Sequence, residues 1–190
     1  MRVLGIDPGS LFLGYGVVDD LRGRLTHVGH GVIRADPKAP LELRLVEIFD
    51  GLSRVVDLFR PNEVAVEGVF TFRNVRSALV LGHARGVALL VAARAALPVH
   101  EYAPARVKRS VGAGGAGNKD AVGRMVHSLL GLAESGRHDA ADALAVAMCH
   151  LNHARFGKPP ASRGAGKRGA ALEALAGRLS PSYQRFGAAR

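Results

Sequence analysis

Three strand-like segments stand together at the start of the chain, before any helical pattern appears. Residues 1–7 form an apolar run that ends at Asp7, because the Asp-Pro-Gly-Ser sequence that begins there breaks a strand. Strands over 15–18 and 25–33 follow after short turns, which is typical of an antiparallel meander. With 190 residues, of which 48% are hydrophobic, the chain can bury a full core.

Helices alternate with strands over the next part of the chain. Apolar residues recur at three- and four-residue steps over 41–59, between Pro40 and Pro61, and this spacing predicts a long helix. We expect a loop over 70–76 and a flexible glycine-rich loop over 112–117. Strands over 63–67 and 97–102 and helices over 77–96, 104–110, 118–132 and 138–153 complete the order βββαβαβααα. This order predicts an α/β fold with a five-stranded mixed sheet flanked by helices.

The charge is strongly positive and concentrated near the C-terminus. The chain carries 26 basic and 16 acidic residues, a net charge of +10, which favours a polyanionic partner. Residues 153–190 hold eight basic side chains and one acid, Glu173. We therefore expect a folded domain over 1–154 and a flexible basic tail, containing Gly, Ala and Pro, over 155–190. The tail is either a solvated terminus or a loose phosphate-binding arm.

Composition argues against several other classes of protein. The single cysteine, Cys149, cannot form an internal disulfide, which fits a reducing cytoplasm. We expect no secretory signal and no membrane association, because Arg94 interrupts the longest apolar run, 86–99. Tryptophan is absent and aromatic residues make up only 5%, so a stacking platform for single strands is disfavoured.

Four acidic residues stand at positions where a carboxylate needs a partner. Asp7 and Glu67 each end a predicted strand, and a charge there must be paired or bound to metal. Asp139 and Asp142 are three residues apart and share one helix face. Each acid also has a simpler explanation: a turn for Asp7, a solvent-facing edge for Glu67, and the helix dipole for the other two.

Together these acids suit a hard divalent cation. Oxygen-only ligands favour Mg²⁺ or Mn²⁺ over zinc or copper. Two such ions about 4 Å apart can activate water and stabilise the leaving oxygen in phosphodiester cleavage. The chain therefore combines acidic ligands with a basic body that attracts nucleic acid.

Several motifs in order resemble the RuvC family of crossover junction endodeoxyribonucleases, the Holliday junction resolvases. They are GIDPGS with GYGVV, then AVEGVF, NVRSALVLGHARGVA and HDAADALAVA, within residues 1–152. The resemblance implies a ribonuclease H-like fold, a homodimer, and Mg²⁺-dependent symmetric cutting of four-way DNA junctions in recombination and repair. It also implies 5′-phosphate and 3′-hydroxyl ends and partnership with RuvA and RuvB.

The same resemblance suggests roles for individual residues. The catalytic metal ligands would be Asp7, Glu67, Asp139 and Asp142. The predicted DNA contacts are Phe70, Phe72, Arg73, Asn74, Arg76, Lys108 and Lys119. Either phenylalanine could wedge against an unstacked base, or instead pack under its loop. Leu11 departs from the arginine of many relatives, and His138 is either an extra ligand or base or a surface histidine.

A stripe of small residues in the second long helix is compatible with dimerisation. Ala78, Gly82 and Gly86 recur at four-residue steps, which lets another helix approach closely, or lets this helix pack on its own sheet. A two-fold dimer would match the near two-fold symmetry of a junction.

Three rival functions remain open. They are an actin-like phosphate-transfer ATPase, a protein that binds junctions without cutting them, and an RNA-directed nuclease of the same fold. The ATPase is disfavoured because the chain lacks a second phosphate loop and is too short for the duplicated fold.

Overall fold

A computed structural model of the chain describes residues 1–68, 74–112, 119–133 and 138–156. Its strands are β1 (Arg2–Asp7), β2 (Phe12–Leu21), β3 (Arg24–Arg34), β4 (Glu63–Glu67) and β5 (Val99–Tyr102). Its helices are α1 (Leu41–Phe59), α2 (Val75–Arg94), α3 (Pro104–Ser110), α4 (Lys119–Leu130) and α5 (His138–Phe156). The prediction of a five-stranded mixed sheet flanked by helices is confirmed.

The strand order is β3-β2-β1-β4-β5, which places β1 at the centre of the sheet. β1, β2 and β3 pair antiparallel, whereas β4 and β5 join parallel to β1. β2 is longer than predicted because it pairs with a neighbour on each side. The β2–β3 turn places Arg22 and Gly23 at φ values of 52° and 93°, and this left-handed geometry suits a tight hairpin of right-handed twist.

Each face of the sheet carries its own apolar core. Leu4 and Ile6 of β1 belong to the core beneath α1 and α2, where Ile48 and Leu52 are fully buried. Val3, the neighbour of Leu4, belongs to the core beneath α3, α4 and α5. Because side chains alternate along a strand, Gly5 and Asp7 lie on the same face as Val3, the face that α5 covers.

Glycines let α5 approach the sheet backbone to backbone. A Cβ added at Gly5 would lie 2.1 Å from the carbonyl oxygen of Ala143, and one added at Gly16 would lie 2.6 Å from the amide nitrogen of Leu144. Gly5 and Gly16 are paired across β1 and β2. The helix therefore rests directly on the two strands, and side chains at these positions would displace it.

The first turn of α2 differs from the predicted loop over 70–76. Asn74 caps the helix, because its Oδ1 accepts from the backbone N–H groups of Arg76 at 2.9 Å and Ser77 at 3.3 Å. The helix therefore begins at Val75, and Arg76 lies in its first turn. Residues 69–73 lie outside the described part of the chain.

The expectation that no segment could cross a membrane is wrong as far as length and composition go. The 20 residues of α2 have a mean hydropathy of 1.4 in their most apolar window, and only 22% of that window is buried. Arg94 stands at the end of the helix and does not interrupt it. A long apolar helix on a surface is expected to contact either a membrane or another protein.

The last helix extends past residue 154, the boundary predicted for the folded domain. α5 continues to Phe156, and the Nε of Arg155 donates to the Oδ2 of Asp20 at 2.7 Å. This guanidinium lowers the pKa of the Asp20 carboxyl by hydrogen bonding. Residues 157–190, the remainder of the predicted tail, lie outside the described residues.

Replacing Gly5 by alanine should destabilise the fold by about 1–3 kcal/mol or more, because the added methyl group would meet backbone atoms that cannot rotate away. Gly123→Ala is the matched control, since among the described residues its Cβ would meet only Ala141 Cβ, at 3.9 Å. In the α4 interior that change should stabilise by about 0.5–1 kcal/mol. Urea unfolding of both variants measures the difference, and equal stabilities would contradict the close contact.

Candidate active site

Two of the predicted acids end neighbouring parallel strands. Ile6 of β1 pairs with Val66 of β4, so Asp7 and Glu67 are the next residues along the two strands. Strand alternation places Asp7 with Gly5 and Glu67 with Ala65, and both of those positions face α5. Both acids are half-buried. The two side chains therefore leave the same edge of the sheet on the same face.

The other two acids stand on the first turns of α5, above that edge. Gly14 pairs with Asp7 across β1 and β2, and a Cβ at Gly14 would lie 2.0 Å from the carbonyl oxygen of Asp139. Asp142 immediately precedes Ala143, whose carbonyl oxygen lies against Gly5. The helix thus positions both aspartates beside the end of β1. All four predicted acids therefore lie at the end of the sheet where β1 and β4 end, and this end is called the acidic edge.

This arrangement has the chemistry of a site for hard cations. All four donors are carboxylates, all are half-buried, and they belong to three rigid elements. The N-terminal end of α5 adds a positive helix dipole that favours nearby anions. Like charges gathered this closely repel, and divalent cations relieve that repulsion while satisfying the carboxylate oxygens. The residues present fit Mg²⁺ or Mn²⁺.

The predicted DNA-contact residues fall into three groups. Phe70, Phe72 and Arg73 lie outside the described residues, as does the side chain of Lys119, the first residue of α4. Asn74 and Arg76 are exposed at the start of α2, and because Oδ1 of Asn74 caps the helix, a DNA contact would use its Nδ2. Lys108 is half-buried in α3.

The two residues with open interpretations also have defined positions. Leu11 lies half-buried in the turn after β1, where its carbonyl oxygen accepts from the N–H of Ala35 at 3.0 Å. His138 is exposed at the first residue of α5, next to Asp139. Its place at the acidic edge is compatible with the ligand or base role considered for it.

A second polar cluster, which the sequence did not reveal, lies at the other end of the same elements. Glu63 Oε2 is 2.8 Å from Nε2 of His150 and 2.9 Å from Nε2 of His100. Nδ1 of His150 is 2.7 Å from the hydroxyl of Tyr102. Burial lowers the pKa of His150 and raises the pKa of the Tyr102 hydroxyl. These residues are far apart in the sequence and share no motif. They meet because β4 pairs with β5 and because α5 packs against both strands.

The sheet order, the parallel and antiparallel pairing and the helix across β1 and β2 define a ribonuclease H-like α/β fold. A family model described as "Crossover junction endodeoxyribonuclease RuvC" matches residues 3–150, and the chain belongs to this family. The chain is therefore a crossover junction endodeoxyribonuclease, a DNA-cutting hydrolase. The family is dependent on divalent metal ions.

Individual relatives agree with this assignment. The chain is 63% identical over 187 residues to RuvC of Myxococcus xanthus, covering 97% of this chain and 98% of that protein. It is 50% identical over 154 residues to RuvC of Geobacter sulfurreducens, covering 81% and 94%. The structure of T. thermophilus RuvC in complex with a Holliday junction substrate matches with a TM-score of 0.75 and 36% identity, covering 83% and 97%.

Proposed function

We propose that Asp7, Glu67, Asp139 and Asp142 form the catalytic site of this nuclease and that the site cuts four-way DNA junctions symmetrically. The observation that carries this proposal is the meeting of three elements at one edge: β1 in register with β4, and α5 seated on Gly14. Resolution of such junctions serves recombination and repair, and the T. thermophilus relative is described with this kind of substrate.

The four carboxylates would hold Mg²⁺ or Mn²⁺, two ions per site. When bound, the ions supply positive charge that activates water and stabilises the leaving oxygen of a phosphodiester. The carboxylates orient the ions on rigid strand and helix ends, which keeps the geometry fixed during the reaction. The proposed products are a 5′-phosphate and a 3′-hydroxyl, which leaves ends that can be ligated.

The proposal also assigns DNA contacts to basic and aromatic residues that follow Glu67 in the sequence. Segment 69–73, which contains Phe70, Phe72 and Arg73, directly follows Gly68, and Asn74 and Arg76 come next. With Lys108 and Lys119, these residues would hold the phosphates that flank the cut bond, and a phenylalanine would wedge into the crossover. Cytoplasmic location and partnership with RuvA and RuvB complete the proposal, on the strength of the family resemblance.

Asp7→Asn, Glu67→Gln and Asp142→Asn should each reduce junction cleavage by about a thousandfold or more, because losing a ligand removes several kcal/mol of stabilisation from the transition state. Each variant should still bind the junction. The measurement is cleavage of a labelled four-way junction in Mg²⁺ and in Mn²⁺, with binding assayed in parallel.

Asp57→Asn is the control, because Asp57 is an exposed acid on α1 and should be neutral in both assays. A variant that cuts at the native rate would remove its residue from the catalytic set. Binding without cutting by the unaltered protein in both metals would favour the binding-only alternative.

The exposed face of α2 is the proposed dimer interface. Ala84, Ala88 and Ala92 face the core, so the small-residue stripe does not pack on the sheet as one interpretation allowed. A Cβ at Gly82 or Gly86 would meet nothing within 4 Å among the described residues. The same face exposes Val75, Leu79 and Leu90, at 76%, 60% and 52%.

This face suits a second copy of the same helix better than a lipid surface. Glycines at positions 82 and 86 leave a groove at its centre that a crossing helix can enter, with large apolar residues on either side. A two-fold axis through that groove would give one acidic edge per subunit, which matches two symmetric cuts. Dimerisation through this face would explain why so little of this apolar helix is buried within one chain.

Leu79→Lys combined with Leu90→Lys should convert the dimer to a monomer, because burying unpaired ammonium groups in the interface is costly. Sedimentation velocity gives the mass, and junction cutting should fall with it. Leu58→Lys is the control, since Leu58 is 74% exposed on α1, away from this face. A double variant that remains dimeric would place the interface elsewhere.

The basic tail would add phosphate contacts that carry no sequence information. The 63% identity with the Myxococcus xanthus relative extends over 187 residues, so it includes most of this segment. Deleting residues 157–190 should weaken junction binding modestly and flatten its dependence on salt. Each phosphate contact that is lost lowers the number of counterions released from the DNA on binding. Titrations at several salt concentrations measure the slope. An unchanged slope would show that the tail is a solvated terminus.

A further inference from the structure

Three metal-ligating side chains converge at the end of the sheet opposite the catalytic carboxylates. Glu63 begins β4, His100 lies on β5 and His150 is in the C-terminal half of α5. One potential ligand atom from each lies within 4.8 Å of the other two. Glu63 and Glu67 are four residues apart along β4, roughly 13 Å, so this cluster is separate from the catalytic edge.

The donor set differs in chemistry from the catalytic one. Two imidazole nitrogens and one carboxylate oxygen are a common ligand set for Zn²⁺, whereas Mg²⁺ prefers oxygen alone. Bonds of about 2.0–2.1 Å to a tetrahedral ion would set neighbouring donors roughly 3.3 Å apart. The two observed nitrogen-to-oxygen distances, 2.8 Å and 2.9 Å, need to open by only a few tenths of an ångström.

The surroundings of the cluster fit a bound ion. The side chain of His150 is 1% exposed, that of His100 is 11% and that of Glu63 is 26%, so the site is enclosed but open on the glutamate side. Tyr102, itself buried, is hydrogen-bonded to Nδ1 of His150. An oxygen partner on the far nitrogen is the arrangement that orients a ligating histidine.

The hydrogen bonds within the cluster leave it incomplete. Both imidazoles share the single oxygen Oε2 of Glu63, which is a crowded arrangement for two ring N–H donors. Nδ1 of His100 is buried and has no hydrogen-bond partner among the described residues. An ion between the three groups would replace two competing contacts to Oε2, the hydrogen bond of His150 and the close approach of His100, with three direct bonds.

We infer that Glu63, His100 and His150 form a second metal site, selective for Zn²⁺ or a similar borderline transition ion, with water in the fourth position. The site joins β4, β5 and α5, so its role is to stabilise the fold. It takes no part in the cut itself, and the inference does not rest on the catalytic assignment.

The test uses the full-length protein, stripped of metal by a chelator and dialysed against Zn²⁺ with excess Mg²⁺ to occupy the carboxylates. We expect one Zn²⁺ retained per chain and a raised Tm, because an ion that binds only the folded state stabilises it. Co²⁺ in place of Zn²⁺ should give the visible absorption of a tetrahedral nitrogen–oxygen site.

Glu63→Gln and His100→Gln should weaken Zn²⁺ binding about a hundredfold and abolish the cobalt spectrum. Tyr102→Phe, which keeps the ring, should weaken binding about tenfold to a hundredfold. Because Glu63 and His100 are partly exposed, their variants remain informative even if His150→Gln fails to fold.

The matched controls are Glu101→Gln, an exposed acid on β5 that pairs with Arg85, and His127→Gln on α4. Both should bind Zn²⁺ as the unaltered protein does, and so should Asp7→Asn, which alters only the catalytic edge. No retained ion, or equal retention by Glu63→Gln and His100→Gln, would overturn the inference and leave the cluster as a hydrogen-bonded core network.

Discussion

The close contact between α5 and the two central strands is the constraint on which the site depends. Gly5, Gly14 and Gly16 have no side chains, so backbone atoms of the helix lie directly over β1 and β2. A helix held at this distance brings Asp139 and Asp142 to the edge where Asp7 ends β1. With ordinary side chains between the helix and the sheet, the acids would be several ångströms further apart, too far to share ions. Packing of small residues is therefore a condition of the chemistry proposed for these acids.

Charge is divided between a local acidic edge and a basic body. The net charge of +10 draws DNA toward the protein, while the four carboxylates would repel its phosphates unless cations intervene. Divalent ions held by the four carboxylates would resolve this conflict, because such ions favour oxygen ligands. The same conflict explains why a protein that only bound junctions would have little use for acids at this edge.

Much of the fold could be predicted from the sequence because its signals are local. The period of apolar residues over α1 and the Asp-Pro-Gly-Ser break after β1 both depend on neighbouring residues alone. The element boundaries that differ from the prediction depend on contacts with other residues. β2 is longer because it pairs with a strand on each side, and α2 begins earlier because Asn74 caps it. Segment 86–99 was expected to be interrupted by Arg94, but that residue stands at the helix end.

The four acids of the candidate site could be chosen from the sequence because each either ends a strand or lies in the first turns of a helix. The cluster of Glu63, His100 and His150 could not, because it depends on the register between β4 and β5 and on where α5 crosses them. Sequence spacing does not encode either quantity. Nor could it show which face of α2 is exposed, because apolar residues are spread around the helix and the few polar ones do not mark a single face. The packing of Ala84, Ala88 and Ala92 against the core fixes the rotation of the helix.

Both polar clusters are built on the same two elements, at opposite ends. Glu63, Ala65 and Glu67 alternate along β4 and all face α5, so the strand offers a carboxylate at each end and a small residue between them. α5 offers Asp142 near its start and His150 eight residues later, roughly 12 Å along its axis.

Because the small Ala65 lets the helix lie flat on the strand, the two ends are held by one rigid contact. Stability at one end of this pair and ligand geometry at the other are therefore linked through the packing of α5 on the sheet.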